Sequence, residues 1–280
     1  MDLLPEIYYI SNHINELRKW KYAPVMVAVC GGTSTCKSTM VTNQIWSQVG
    51  TGLATIIELD NFQKGRESKN LIKGSYGHDN PEYFEVGESY SALKTLSENK
   101  QSNIPEYSYT LGKQTGYKII QPAPVIVYEG LFAAYKELAA LADLVVYVES
   151  PLYARLLRRI FRNTYDRYNA MPERAFTNFF PTLNAHNELI AAQKDNADYT
   201  ILVPYQFEDT IIRYNLSPIS EQKKVDFTFC FDLSNDTKIG VYKNFEQLNF
   251  TLLHCNKMYL DFEITFEQYE EILKLDFMSL

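Results

Sequence analysis

The segment Gly31-Gly32-Thr33-Ser34-Thr35-Cys36-Lys37-Ser38-Thr39 follows the apolar run Val25-Met26-Val27-Ala28-Val29-Cys30 and opens onto a helical pattern. A buried strand, a turn of small residues and then Lys-Ser at the head of a helix is the layout of a Walker A phosphate-binding loop, G-x-x-x-x-G-K-[ST]. Gly31 and Lys37 fall in register for it, but the place of the second glycine is held by Cys36. In such a loop, backbone N–H groups and the N-terminus of the next helix converge on anionic oxygens. Lys37 then reaches the β- and γ-phosphates, and the Ser38 hydroxyl ligates Mg²⁺. The bland alternative for Lys37 is a lysine that merely opens a helix after a turn. Cys36 sets a Cβ where glycine lets the backbone pass close beneath the phosphates. The expectation is nucleotide binding weakened but retained, with outright loss as the alternative.

Two acids extend this chemistry. Asp60 ends the strand-like run from Ala54 to Leu59, and Glu129 ends the run Pro124-Val-Ile-Val-Tyr128. Both then stand on the carboxyl edge, where ligands bind in open α/β sheets. Asp60 there can accept the proton of an incoming hydroxyl and help hold a metal, and Glu129 is its parallel at the same crevice. The alternative is a pair of strand-end acids that cap loops. Glu58 starts further back on its strand and is expected to play a supporting part. Arg155, Arg158, Arg159 and Arg162 recur at i, i+3, i+4 and i+7, so they share one helical face, and Arg167 follows shortly after. Arginines beside a phosphate-binding loop neutralise a transferring phosphoryl group, often from a mobile lid. A solvated basic face paired with Asp and Glu is the competing reading.

The elements that must position these residues alternate along the chain. Residues 6–21 read as an amphipathic helix, 24–30 as a buried strand and 37–49 as the helix behind the loop. A second strand covers 54–59. Residues 61–81 read as loop with a short helix, 84–97 as helix and 101–115 as a polar, tyrosine-bearing excursion. Strands follow at 124–128, 144–148 and 199–203, with the arginine helix after the strand at 144–148 and a long helix over 176–195. Alternation at this spacing predicts a mostly parallel, doubly wound sheet. Beyond about residue 218 the texture changes. Val225 to Phe231 alternates with period two, Lys238–Tyr242 and Phe250–Leu253 are candidates to pair with it, and Thr265-Phe-Glu-Gln268 resembles a capping box opening a helix to Leu275. The expected division is residues 1–217 as one α/β domain and 218–280 as a small α+β appendage.

Composition narrows the function classes. With 46% hydrophobic residues the chain can bury a substantial core. It has no run of 18 or more apolar residues, and its start lacks the basic and apolar regions of a signal peptide. Four cysteines, Cys30, Cys36, Cys230 and Cys255, show no paired spacing, which argues for a reducing, cytoplasmic setting. A net charge of -7 and a pI near 5.3 provide no global attraction for nucleic acid. The 21 tyrosines carry no functional assignment.

From about Pro24 to Pro204 the assembled pieces resemble the uridine kinases of the uridine kinase and phosphoribulokinase group, and the resemblance implies a P-loop NTPase fold. That group carries a loop close to G-G-S-x-S-G-K-[ST]-T, which Gly31 to Thr39 matches apart from Cys36 and small polar exchanges. Its D-x-F-Y is similar to Asp60-Asn-Phe-Gln63, which implies Asp60 as general base and Gln63 beside the acceptor pocket in place of a tyrosine. Its D-H-P appears as Asp79-Asn-Pro81, implying that Asp79 contacts ribose hydroxyls. Its Y-D-F-x-x-H-S-R maps onto Tyr107-Ser-Tyr-Thr-Leu-Gly-Lys-Gln114. Tyr107 and an aromatic at Tyr109 are kept, while Gly112 replaces the histidine that helps recognise the pyrimidine. F-E-G becomes Tyr128-Glu-Gly130, implying Glu129 as the acid near Mg²⁺. Arg155, Arg158, Arg159, Arg162 and Arg167 match the group's arginine segment, and Asn169 replaces its last arginine.

The resemblance thus implies an ATP-dependent kinase with Mg²⁺ as cofactor. Phosphate-handling positions are nearly all kept, whereas base-reading positions are changed, and lost hydrogen-bonding partners cost affinity and discrimination. Phosphoryl transfer to a small-molecule hydroxyl is the leading expectation, with a nucleoside such as uridine or cytidine first among acceptors and another sugar or ribosyl metabolite second. A catalytically weakened nucleotide-binding or scaffold protein is the competing class. GTPase-like switching is weaker, because the only Asn-Lys pairs are Asn99-Lys100 and Asn256-Lys257 and neither continues as Asn-Lys-x-Asp. A homo-oligomer is left open; a nucleic-acid or membrane partner is not expected.

Overall fold

The computed structural model describes residues 4–71, 76, 79–163, 174–175 and 178–203, and the strands at 218–219, 224–232, 250–253 and 257–265. Helix α1 (Pro5–Trp20) buries Ile7, Ile10 and Ile14, three residues at helical spacing. Its proline sits at the first helical position, where a missing N–H removes nothing from the helix. Strand β1 (Val25–Gly31) is buried along its whole length, as expected of a strand covered on both faces. The loop then enters a π-helical turn (Lys37–Thr42) that continues as α2 (Asn43–Val49). Next come β2 (Ala54–Glu58), a 3₁₀ turn (Leu59–Phe62), α3 (Arg66–Leu71) and α4 (Val86–Ser97). A hairpin, β3 (Ser102–Ser108) with β4 (Lys113–Ile120), leads to β5 (Val125–Glu129), β6 (Leu144–Glu149) and α5 (Leu152–Phe161). After α6 (Phe180–Ala185), a π turn (His186–Ile190) and a 3₁₀ stretch (Ala191–Asn196) lead into β7 (Tyr199–Leu202).

Five strands form one parallel sheet in the order β2-β5-β1-β6-β7. The connection leaving β1 runs to one side and the connection leaving β5 to the other, so the strand order reverses between these neighbours. That makes the β1/β5 carboxyl edge the switch point where a crevice opens. Side chains alternate across the sheet. Val25, Val27 and Val29 pack with Ile7, Ile10 and Ile14 of α1 and Ile45 and Val49 of α2. Met26, Ala28 and Cys30 face the other way, onto Leu93 and Leu96 of α4. Two carboxylates tie strand starts into this frame: Asp143 accepts from the Met26 amide at 2.7 Å and Asp198 from the Val145 amide at 2.7 Å. No helix of the described residues is long and apolar enough to cross a membrane.

Three expectations need correction. The stretch 101–115, read as a polar excursion without regular structure assigned, is the β3–β4 hairpin, extending to Ile120, with a bulge at Glu106/Tyr107. Only Ile104 and Pro105 of β3 are buried, so the period-two signal is faint. The helix over 176–195 is not one uniform element, for the described part changes from α to π at His186 and to 3₁₀ at Ala191. In the C-terminal sheet, Phe250–Leu253 does not pair with the strand at 225–231 but with the one at 257–265.

The chain divides into two compact units: Met1–Ser150 with Pro181–Val203, and Pro151–Phe180 with Pro204–Leu280. The second unit contains α5 and an antiparallel sheet of β8 (Pro218–Ile219), β9 (Lys224–Asp232), β10 (Phe250–Leu253) and β11 (Lys257–Thr265), in the order β10-β11-β9-β8. Strand β11 lies between β9 and β10, and its register sets Met258, Leu260 and Phe262 opposite Phe231, Phe229 and Phe227. Residues 238–242 and the expected helix beyond Thr265 lie outside the described residues.

The frame makes one simple prediction. Ile45 is fully buried where α2 meets the sheet, so Ile45→Ala is expected to lower the unfolding free energy by about 2–5 kcal/mol, measured by urea denaturation.

Candidate active site

Strand β1 ends at Gly31 with φ +140°, and a Cβ added there would lie 2.2 Å from the Val148 carbonyl oxygen of β6. No other residue fits this exit. The loop then folds on itself: the Thr35 hydroxyl and the Lys37 Nζ both donate to the Gly32 carbonyl, at 3.0 and 2.8 Å. Thr33, Thr35 and Lys37 are buried, whereas Ser38 and Thr39 are exposed at the head of the helix. Ser34 and Cys36 both take left-handed backbone, φ +60° and +66°. The Cys36 carbonyl accepts from the amides of Met40 and Val41, at 3.0 and 3.3 Å, and the second bond, spanning five residues, makes the opening turn π-helical. Position 36 thus needs the conformation that glycine adopts freely and that costs other residues about 1–2 kcal/mol. Cys36 is half-buried and packs against the core cluster shared by α1 and α2. That packing holds the cysteine in the conformation of the missing glycine.

Across the β1/β5 edge the Ser38 hydroxyl donates to Glu129 Oε1 at 2.7 Å. The glycine after Glu129 has its own reason, since a Cβ at Gly130 would meet the Leu59 Cβ at 2.9 Å. Its amide also donates to the Val29 carbonyl at 3.1 Å, locking the exit of β5 to β1. Glu129 is buried, and burial pushes its carboxyl up from 4.5 to about 7. The Lys37 charge and the Ser38 hydrogen bond oppose this rise, while the negative charges of Asp60 and Glu58 add to it. Glu58 is exposed and stands opposite Glu129 in the β2–β5 register. Asp60 lies just past β2, in the 3₁₀ turn, where the Tyr109 hydroxyl donates to its Oδ2 at 2.9 Å.

Ser38, Glu129 and Asp60 are hard oxygen donors. Among the described residues no group of three or more His, Cys, Asp or Glu could hold a metal ion by themselves. Such a set suits Mg²⁺, which is held through one or two carboxylates together with substrate phosphates.

Tyr109 and Tyr107 reach the turn that carries Asp60. Gln63 forms an antiparallel bridge with Phe84, and its side-chain oxygen accepts from Lys69 Nζ at 2.6 Å. The Tyr107 amide donates to Asn61 Oδ1 at 3.2 Å, and the Tyr107 and Tyr109 rings meet edge-to-face at 5.4 Å. Asp79 is buried, with its amide donating to the Tyr76 carbonyl at 3.2 Å. Gly112 takes φ +65° in the hairpin loop, and its carbonyl accepts from the Arg66 amide at 2.7 Å. Sequence reasoning named Gln63, Tyr107, Tyr109 and Gly112 but not Lys69 and Arg66, which contact Gln63, Tyr107 and Gly112 here. The resemblance carried only an aromatic at position 109, and nothing in the sequence marks the two cations of α3.

The arginines sit on α5, in the second unit. Arg155 and Arg159 are buried and Arg158 and Arg162 half-buried, so the basic face divides into two stripes one turn long. Arg167 lies outside the described residues. Cys30 is buried beneath the loop, and burial raises its thiol to about 12, so it is no nucleophile.

The profile of the Phosphoribulokinase / Uridine kinase family matches residues 26–206. A uridine kinase of Saccharomyces cerevisiae is 33% identical over 150 residues, covering 51% of this chain and 30% of that protein. A uridine kinase of Ureaplasma urealyticum is 26% identical over 189 residues, covering 64% of this chain and 88% of that protein. The chain therefore spans about a third of the yeast relative but most of the bacterial one. Among solved structures, a putative fructose transport system kinase from Silicibacter sp. superposes with a TM-score of 0.58 at 18% identity, covering 70% of this chain and 98% of that one. Phosphoribulokinase from Rhodobacter spheroides gives 0.53 at 16% identity, covering 86% and 91%. Both likenesses are of fold.

The buried acid yields a prediction with a definite sign. Between pH 4.5 and about 7 the folded state holds a proton on Glu129 that the unfolded chain has released. This carboxyl therefore makes stability fall as pH rises through that window. Glu129→Gln is expected to flatten that slope, by up to about 3 kcal/mol at neutral pH, in urea titrations of protein without added nucleotide. An unchanged slope would contradict the burial of the carboxylate.

Proposed function

Because this chain belongs to the phosphoribulokinase and uridine kinase family, we propose that it transfers a phosphoryl group from ATP to a hydroxyl of a small molecule at this site. The backbone amides of the loop and Lys37 hold the β- and γ-phosphates. Asp60, oriented by the Tyr109 hydroxyl, takes the proton of the attacking hydroxyl. Ser38, Glu129 and Asp60 are the residues that would hold Mg²⁺, which when bound neutralises charge on the phosphate oxygens. Arg158, Arg162 and Arg167 are assigned to the transferred phosphoryl charge by the family resemblance alone. Gln63, Asp79, Tyr107, Tyr109 and Gly112 border the acceptor. The observation that carries this reading is the Ser38–Glu129 hydrogen bond, which joins the phosphate loop to a second acid at the switch point. Uridine or cytidine is the acceptor suggested by the names of the relatives, and another sugar or ribosyl metabolite is the second candidate.

A weakened nucleotide-binding protein is the competing reading, favoured by the non-glycine residue in left-handed backbone at position 36. ATP consumption against a panel of nucleosides and sugar derivatives separates the two. Asp60→Asn is expected to lower turnover at least ~100-fold while nucleotide affinity stays near that of the parent; undiminished turnover would remove Asp60 as base. Cys36→Gly is expected to leave turnover within the same order of magnitude, because the loop already holds the required conformation. A gain near ~100-fold, the cost of a misplacement of about 1 Å, would show instead that the cysteine limits catalysis.

A further inference from the structure

Two cations of α3 stand at the acceptor end, and among the described residues neither has an ion-paired carboxylate. Lys69 is half-buried. Its Nζ donates to Gln63 Oε1 at 2.6 Å and to the Tyr107 hydroxyl at 3.5 Å. It also lies 5.2 Å from the Tyr107 ring centroid and 5.6 Å from that of Tyr83. All these partners are neutral. Burial draws the Lys69 ammonium down to about 8, opposed by the Asp60 carboxylate and aided by the like charge of Arg66. Arg66 stands one turn earlier, with guanidinium atoms 2.8–3.1 Å from where a Cβ on Gly112 would be.

These contacts decide what the acceptor pocket can read. The Gln63 side-chain oxygen accepts from Lys69, and the exposed Arg66 guanidinium lies where a side chain at position 112 would begin. The side-chain acceptor of Gln63 thus already faces a cation, and Gly112 presents no side chain of its own. A half-buried ammonium whose direct partners are all neutral stays charged at a cost, which the Asp60 carboxylate offsets only through space and which an anion in direct contact would offset further. Cation–π contacts return about 0.5–1 kcal/mol each at exposed sites and about 2 kcal/mol when desolvated. The tyrosine pair also sets an axis: Tyr109 holds the Asp60 carboxylate, and Tyr107 holds Lys69. Reacting hydroxyl and anion would lie at opposite ends of that pair.

We propose that Arg66 and Lys69 form an anion-reading subsite, so that the acceptor carries a phosphate monoester or a carboxylate besides the hydroxyl that reacts. The proposal rests on the kinase reading and narrows its acceptor class away from neutral nucleosides.

Calorimetric binding of ribose, uridine, ribose 5-phosphate and ribonate to the full chain tests it, with ATP consumption followed on the same samples. The parent is expected to bind ribose 5-phosphate or ribonate at least ~10-fold more tightly than ribose or uridine, the worth of a charge-assisted hydrogen bond. The two anionic arms distinguish phosphate from carboxylate. Lys69→Met is expected to lose the preference and Lys69→Arg to keep it, with nucleotide affinity unchanged in both. Equal binding of neutral and anionic ligands by the parent would overturn the subsite. So would a Lys69→Met variant that keeps the preference, or one that loses neutral and anionic ligands alike. ATP consumption with neutral acceptors only would also overturn the subsite while leaving the kinase reading standing. An anion preference without ATP consumption would support the subsite and sink the kinase reading.

Discussion

The parallel pairing of β1 with β5 is the constraint on which the site depends. It sets the phosphate loop beside Glu129, and the outer neighbours, β6 and the turn after β2, leave neither strand room to exit through an ordinary residue. Gly31 must pass the Val148 carbonyl on one side, and Gly130 must pass Leu59 on the other. The Gly130 amide then bonds back to Val29, and Ser38 reaches Glu129 across the same seam. Two glycines, one hydroxyl and one carboxylate are thereby determined by a single strand neighbourhood.

The same seam concentrates unfavourable features. Glu129 is buried at a pH-dependent cost, and Cys36 and Ser34 hold left-handed backbone. Each opposes folding by an amount on the order of 1–3 kcal/mol. The offset lies elsewhere, in the two apolar layers on either face of the sheet. Apolar residues of α1, α2 and α4 are buried there. Such a division is expected where a charged ligand completes the polar groups, since the groups that bind it are poorly satisfied by the protein alone.

Much of the fold is legible in the residue pattern. Val25 to Cys30 is too uniformly apolar for a half-exposed strand, and the runs ending at Glu58, Glu129 and Glu149 repeat that pattern at βα spacing. The hairpin at 102–120 is not legible, because a two-stranded ribbon with few buried residues leaves almost no period-two signal. The central place of β11 escapes for a different reason: alternation identifies a strand but does not order it within a sheet. In the site, the loop, Asp60 and Glu129 are legible because their chemistry is local, a residue type at the end of a strand.

The sequence alone therefore determined the doubly wound frame, the phosphate loop with its cysteine, and the two acids on the carboxyl edge. Periodicity and strand-end position suffice for these, since each depends on residues close in the chain. Only the tertiary structure decided that Cys36 adopts the glycine conformation with support from the core, and that Glu129 holds its proton toward neutral pH. It alone brought Lys69 to Gln63, Tyr83 and Tyr107. Those outcomes come from packing and burial among residues distant in sequence, and no local pattern records which of them will meet.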